Sequence, residues 1–139
     1  MQLSSQLGAA QYRKVDVQSN VEAASPHKLI VMLLDGAIGK IYAARGLMEQ
    51  KQIAAKGEHI SWALAIVDGL KGALDLKAGG AIASNLDALY DYVMHRLVRA
   101  NLENDPAALD EVLRLLSEIR AGWNGIAPAG EGASTPETR

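Results

Sequence analysis

Residues 105–123, DPAALDEVLRLLSEIRAGW, decide the fold class. Asp105 followed by Pro106 marks a helix start: the aspartate side chain accepts from an orphan N–H, and proline at the first helical position gives up no hydrogen bond. Beyond it, Leu109, Val112, Leu113, Leu116, Ile119 and Trp123 recur three and four residues apart, opposite Asp110, Arg114 and Glu118. A single apolar stripe against a charged face predicts an amphipathic helix packed on a core.

Ser25-Pro26 repeats the same start signal upstream. From Pro26 the apolar pattern runs to about Ala55, Gly57 reads as the next break, and Gly79-Gly80 interrupts the chain after Leu76. These signals predict four helices at roughly 26–55, 58–76, 81–104 and 106–123. Strand-like alternation persists nowhere, and phenylalanine is absent. Short connections between long helices favour antiparallel neighbours. The expected fold is therefore all-α, an antiparallel four-helix up-down bundle over 25–125. A short helical segment around Gln6 to Lys14, within 1–24, precedes it. The tail over 126–139 is rich in Ala, Gly, Pro, Ser and Thr and is expected to be disordered, since it has too little apolar surface to bury.

Composition narrows the function. With 14 basic and 16 acidic residues the net charge is −2, which gives no electrostatic claim on nucleic acid or anionic lipid. There is no cysteine, so disulfides and thiolate chemistry are excluded. Met1 to Ala10 carry neither a basic start nor an apolar run, so no secretory signal is expected. The most apolar run, Leu29 to Leu34, stops at Asp35, far short of the roughly 20 residues that span a bilayer. A cytosolic protein without membrane insertion is expected.

The same sequence carries no complete catalytic or metal motif. His27, His59 and His95 fall one on each of the first three predicted helices, without the His-Glu-x-x-His spacing of a zinc site. Gly79-Gly80 has no preceding strand and no Gly-Lys-Ser/Thr, so it reads as a turn rather than a phosphate loop. The acids Asp35, Asp87, Asp91, Asp110 and Glu111 have no nucleophile or oxyanion donor beside them, and Glu-x-x-His does not occur. No catalytic residue, metal or cofactor is expected, and the chain is read as a non-enzyme.

What distinguishes the sequence is apolar surface beyond the needs of a core. In the second helix Ile60, Leu64, Val67, Leu70 and Leu74 form one stripe, while Trp62, Ile66, Gly69 and Ala73 form another. The first helix adds Val31, Ile38 and Tyr42 to its main stripe, and the third adds Ile82, Tyr92 and Met94. No helix of a four-helix bundle is surrounded by the others, so part of this surface is left for a partner. The occupant is either a second copy of the chain or the amphipathic helix of another protein. Tyr12, Val15, Val17 and Val21 are too apolar for a free tail and are expected to mask part of the groove.

The run Tyr12, Ser25-Pro26, Lys28-Leu29-Ile30, Met32-Leu33 and Asp35-Gly36-Ala37 resembles the flagellar secretion chaperone FliS family. The resemblance continues through Asn85-Leu86, Leu89-Tyr90-Asp91-Tyr92, Leu97, Ala100-Asn101, Asp105 and Trp123. It implies a cytoplasmic bundle that binds the C-terminal region of flagellin, holds it unpolymerised and assists its delivery to the flagellar type III export apparatus. Components of that apparatus are implied as further partners. Two positions depart from the family: Leu34 stands where it usually has tyrosine, and Ala81 where an acid often follows the glycine pair. On this reading the groove is lined by Tyr12, Ile30, Leu34, Tyr42, Trp62, Ile66, Tyr90 and Tyr92, with Asp35, Asn85 and Asn101 as polar anchors. Trp62 and Ile66 lie off their helix's core stripe and are the strongest of these. The chain is expected to be a monomer or weak homodimer; the alternative is a homodimeric bundle that ignores flagellin.

Overall fold

A computed structural model describes residues 25–125 of the chain. It contains α1 (Pro26–Glu49), α2 (Ile53–Gly72), α3 (Leu76–Glu103) and α4 (Pro106–Asn124), and no strand among the described residues. The expected N-terminal helix, the proposed mask around Tyr12 and the tail lie outside the described residues. Ile30–Gly125 forms one compact unit, and the packing below is within it.

Both Ser/Asp-Pro starts behave as their chemistry requires. Ser25 Oγ accepts from the Lys28 N–H at 3.1 Å, and Asp105 Oδ1 from the Ala107 N–H at 3.0 Å. The other two boundaries differ from expectation. α1 stops at Glu49 rather than near Ala55, because Lys51 takes a left-handed conformation (φ 60°). The Gln52 N–H then reaches the Leu47 carbonyl at 2.9 Å and the Lys51 N–H reaches that of Met48 at 3.1 Å, a Schellman stop. Gly57, read as the break, lies inside α2. α3 begins at Leu76 rather than after the glycine pair, since Asp75 caps it by accepting from the Ala78 N–H at 3.0 Å. The glycine pair still leaves its mark as a kink. Gly80 has φ 57° and ψ −133°, which strains any residue with a Cβ, and a Cβ on Gly79 would stand 2.5 Å from that of Ala83.

Side-chain contacts give the topology. On the α1–α4 seam Arg45 pairs with Asp110 and Asp35 with Arg120, so numbers rise on one helix as they fall on the other. Gly36 faces Ile66 and Lys40 faces Trp62 across α1 and α2; Lys56 meets Asn101 and Lys71 meets Asp87 across α2 and α3. Arg96 and Tyr92 both bond Glu111 across α3 and α4. The helices therefore form an up-down-up-down ring, each antiparallel to its two neighbours.

The core repeats every seven residues. Leu34, Ala37, Ile41, Ala44 and Met48 of α1 meet Ile60, Ala63, Val67 and Leu70 of α2, with Tyr90, Val93, Leu97 and Ala100 of α3. Ala108, Leu109, Val112, Leu113, Leu116 and Ile119 of α4 complete it. This alternating spacing of three and four is that of helices meeting at shallow angles with side chains interlocked. One heptad position carries a charge: Lys56 is 2% exposed, and its ammonium donates to the Asn101 carbonyl at 2.9 Å and to Asn104 Oδ1 at 2.6 Å. Asn104 is the left-handed residue ending α3 (φ 51°). Lys56 thus places a positive charge on the carbonyl end of a neighbouring helix, where the peptide dipoles favour it.

Candidate partner-binding surface

The residues expected to line one groove are divided among four seams and the core. Leu34 (0% exposed) and Tyr90 (1%) belong to the core rather than to an open groove. Each occupies a heptad position facing the bundle axis, and burial pushes the Tyr90 phenol pKa upward. The tyrosine absent from position 34 is accordingly absent from the interior: leucine fills that layer without a hydroxyl to satisfy. Ile30 is partly buried and packs against the same core.

Trp62 and Ile66 come together on the α1–α2 seam. Trp62 is 59% exposed although it sits mid-helix, and Lys40 Nζ stands 4.1 Å from its ring centroid. A cation over an aromatic face orients the ring while leaving its edge open to a partner. Beside it, Ile66 Cδ1 lies 3.6 Å from where a Cβ on Gly36 would be, an ordinary contact distance that sets the isoleucine against α1. Gly36, Lys40, Trp62 and Ile66 thus meet in a strip along two antiparallel helices, in which Trp62 is exposed and Ile66 is partly buried against the core. Lys40 was missed by sequence reading; its spacing of four from Gly36 on one face of α1 is the signal that could have found it.

Tyr42 and Asp35 lie on the other flank of α1, toward α4. Asp35 accepts a forked pair of bonds from Arg120. Tyr42, 63% exposed, borders an open cleft of about 490 Å³ with Arg45, Asp110, Leu113, Arg114 and Ser117. Arg45 Nε donates to Asp110 Oδ1 at 2.5 Å, and this bond holds the Asp110 carboxyl below the usual carboxylate range.

Tyr92 belongs to the α3–α4 seam. Its hydroxyl donates to Glu111 Oε2 at 2.6 Å and Arg96 Nε donates to Glu111 Oε1 at 2.8 Å. The tyrosine bond first, and the arginine with it, keep the Glu111 carboxyl below its ordinary range, while the Tyr92 phenol is raised by the same contact. Asn85 is exposed two helical turns earlier on this flank of α3. Asn101 lies on the opposite flank, its carbonyl taken by Lys56. Tyr12 is outside the described residues.

The Nδ1 atoms of His59 and His95 sit 2.9 Å from the carbonyls of Ala55 and Asp91, each one turn back on its own helix. Among the described residues no three His, Cys, Asp or Glu are grouped to hold a metal, and no helix is long and apolar enough to cross a membrane.

Comparison with known proteins agrees with this architecture. The family described as flagellar protein FliS matches residues 8–130. The flagellar secretion chaperone FliS of Salmonella typhimurium is 49% identical over 133 residues, covering 95% of this chain and 96% of the relative. The flagellar secretion chaperone FliSB of Pseudomonas aeruginosa is 47% identical over 116 residues, 84% of this chain and 92% of the relative. The corresponding protein of Vibrio cholerae is 43% identical over 117 residues, 84% and 86%.

Proposed function

The chain belongs to the FliS family of flagellar proteins, and from that premise we propose that it is a flagellar export chaperone whose client is the C-terminal region of flagellin. The observation that carries the proposal is the α1–α2 strip, where Trp62 stays 59% exposed beside Ile66 and Gly36. A tryptophan left in water mid-helix forgoes burial that the fold does not need, and a client's amphipathic helix supplies it. Covering the client's apolar face in the cytosol prevents premature polymerisation, and release at the export apparatus returns it to assembly. Function on this reading requires shape and apolar surface, with no reacting group, cofactor or metal.

The test is calorimetric titration of the full chain with a flagellin fragment carrying its C-terminal region. Saturable binding with a negative heat-capacity change is expected, since apolar helix faces are removed from water. No binding at tens of micromolar would refute the proposal. If the chain instead forms a stable dimer through Trp62 and ignores the fragment, the same strip is a self-association surface.

A further inference from the structure

We infer that the cleft between α1 and α4 is a second recognition site, which takes an acidic, apolar segment of a protein partner. Its floor is Leu113, 6% exposed, and its rim carries Tyr42, Arg114 and Ser117. The one carboxylate in the lining, Asp110, is engaged by Arg45 through two bonds, at 2.5 and 3.0 Å, and Arg45 is further fixed by Glu49 at 2.5 Å. Arg114 is held far more loosely, 3.5 Å from Glu118 in a pair open to solvent. Such an exposed pair contributes little and is readily exchanged for another carboxylate.

The lining therefore presents a displaceable guanidinium and two hydroxyls around Leu113, with its one carboxylate already engaged by Arg45. Its complement is a carboxylate adjacent to an aliphatic or aromatic side chain. The carboxylate would take the planar fork of Arg114, and the apolar neighbour would cover Leu113 and the Tyr42 ring. At about 490 Å³ the cleft has the volume of a ligand site, yet it lies open along a helix seam. That shape favours a peptide segment over a compact metabolite. It also lies on the flank of α1 away from Trp62, so the two sites can be filled together. The inference does not depend on flagellin being the client of the α1–α2 strip.

A random peptide display library panned on the immobilised full chain tests it. Enriched peptides are expected to pair Asp or Glu with a neighbouring Leu, Ile, Val or Phe. Their affinity, followed by fluorescence anisotropy, should fall at least about tenfold in Arg114→Gln. It should fall in Tyr42→Ala as well, decline with added salt, and be unchanged in Trp62→Ala. Arg114 is exposed, so Arg114→Gln should melt at the wild-type temperature and keep its affinity for the flagellin fragment. The inference is overturned by no enrichment of acidic residues, by equal binding to Arg114→Gln, or by loss of peptide binding in Trp62→Ala. Loss of flagellin binding in Arg114→Gln also overturns it, since the cleft would then belong to the first site.

Discussion

The seams of α4 and the seam between α1 and α2 are closed by different means. α4 is clamped from both sides by charge: Arg45 on Asp110, Asp35 on Arg120, and Arg96 with Tyr92 on Glu111. None of these bonds spans α1 and α2, where Gly36, Ile66, Trp62 and a lysine over a ring make the contact. Directional bonds fix the register of α4 and use up their polar groups. The apolar strip has no such fixed pairing, and the surface it leaves in water is still available to a partner. A bundle that must stay folded while a client comes and goes can hold itself by one set of seams and work through another.

The comparison breaks most visibly in the core beneath α4. Leu116 is fully buried, and Leu116→Ala should cost about 2–5 kcal/mol through lost transfer energy and the cavity left behind. Urea unfolding measures it. A loss under about 1 kcal/mol would mean that α4 is held by its charged seams alone.

Lys56 should come next. Lys56→Ala strips the donor from the Asn101 carbonyl and the Asn104 side chain, at a cost of about 1–3 kcal/mol. Lys56→Met keeps the buried stem and removes only the ammonium, so its loss should be smaller. Equal losses would assign the whole effect to the ammonium; no loss in Lys56→Met would assign it to packing.

These two residues mark how far sequence reading reached. Leu116 was legible because α4 alternates apolar and charged positions cleanly; the same period set Trp62 and Ile66 apart as a second stripe, of which Trp62 is exposed while Ile66 is partly buried against the core. Lys56 was not, because a lysine at a heptad position looks like an end to the stripe until the carbonyls of α3 are seen beside it. The end of α1 was hidden for a related reason: its left-handed stop is a lysine, whereas the sequence signal for that geometry is glycine or asparagine. Asp75 lost to the more conspicuous glycine pair. The candidate site scattered because exposed and buried faces of α1 and α3 differ by only one or two residues. Leu34 and Tyr90 turn inward, while Asp35 and Tyr92 turn out to α4.

Acid should loosen α4 before it affects the α1–α2 strip. The carboxyls of Asp110 and Glu111 lie below their ordinary values, Asp110 through Arg45 and Glu111 through Tyr92 and then Arg96. The unfolded chain therefore binds protons more readily than the folded one. Their contribution is complete above the unfolded values, about 3.9 for Asp and 4.3 for Glu, and is lost as pH falls through the lower folded values. Melting temperature should thus decline more steeply below pH ~4 in the wild type than in Asp110→Asn/Glu111→Gln. Parallel acid profiles would show that these clamps add nothing to stability.

The smallest effect on stability should accompany the largest on binding. Trp62 is mostly exposed and rests on Lys40 rather than in the core, so Trp62→Ala removes little that folding had buried. Surface changes of this kind alter stability by no more than about 0.5 kcal/mol. Binding differs, because on the proposed function the ring is buried only in the complex. Truncating an aromatic anchor at the centre of an interface costs about 2 kcal/mol or more. Trp62→Ala should therefore melt within a few degrees of the wild type and bind the flagellin fragment at least about tenfold more weakly. Lys40→Met sharpens the point: it removes the cation from the ring face and keeps the apolar stem, so a modest loss of affinity would show that ring orientation matters. A Trp62→Ala protein that is badly destabilised would place the tryptophan in the core and remove the contrast between the two kinds of seam. One that is stable and binds flagellin as before would leave the fold description intact and move the client elsewhere on the surface.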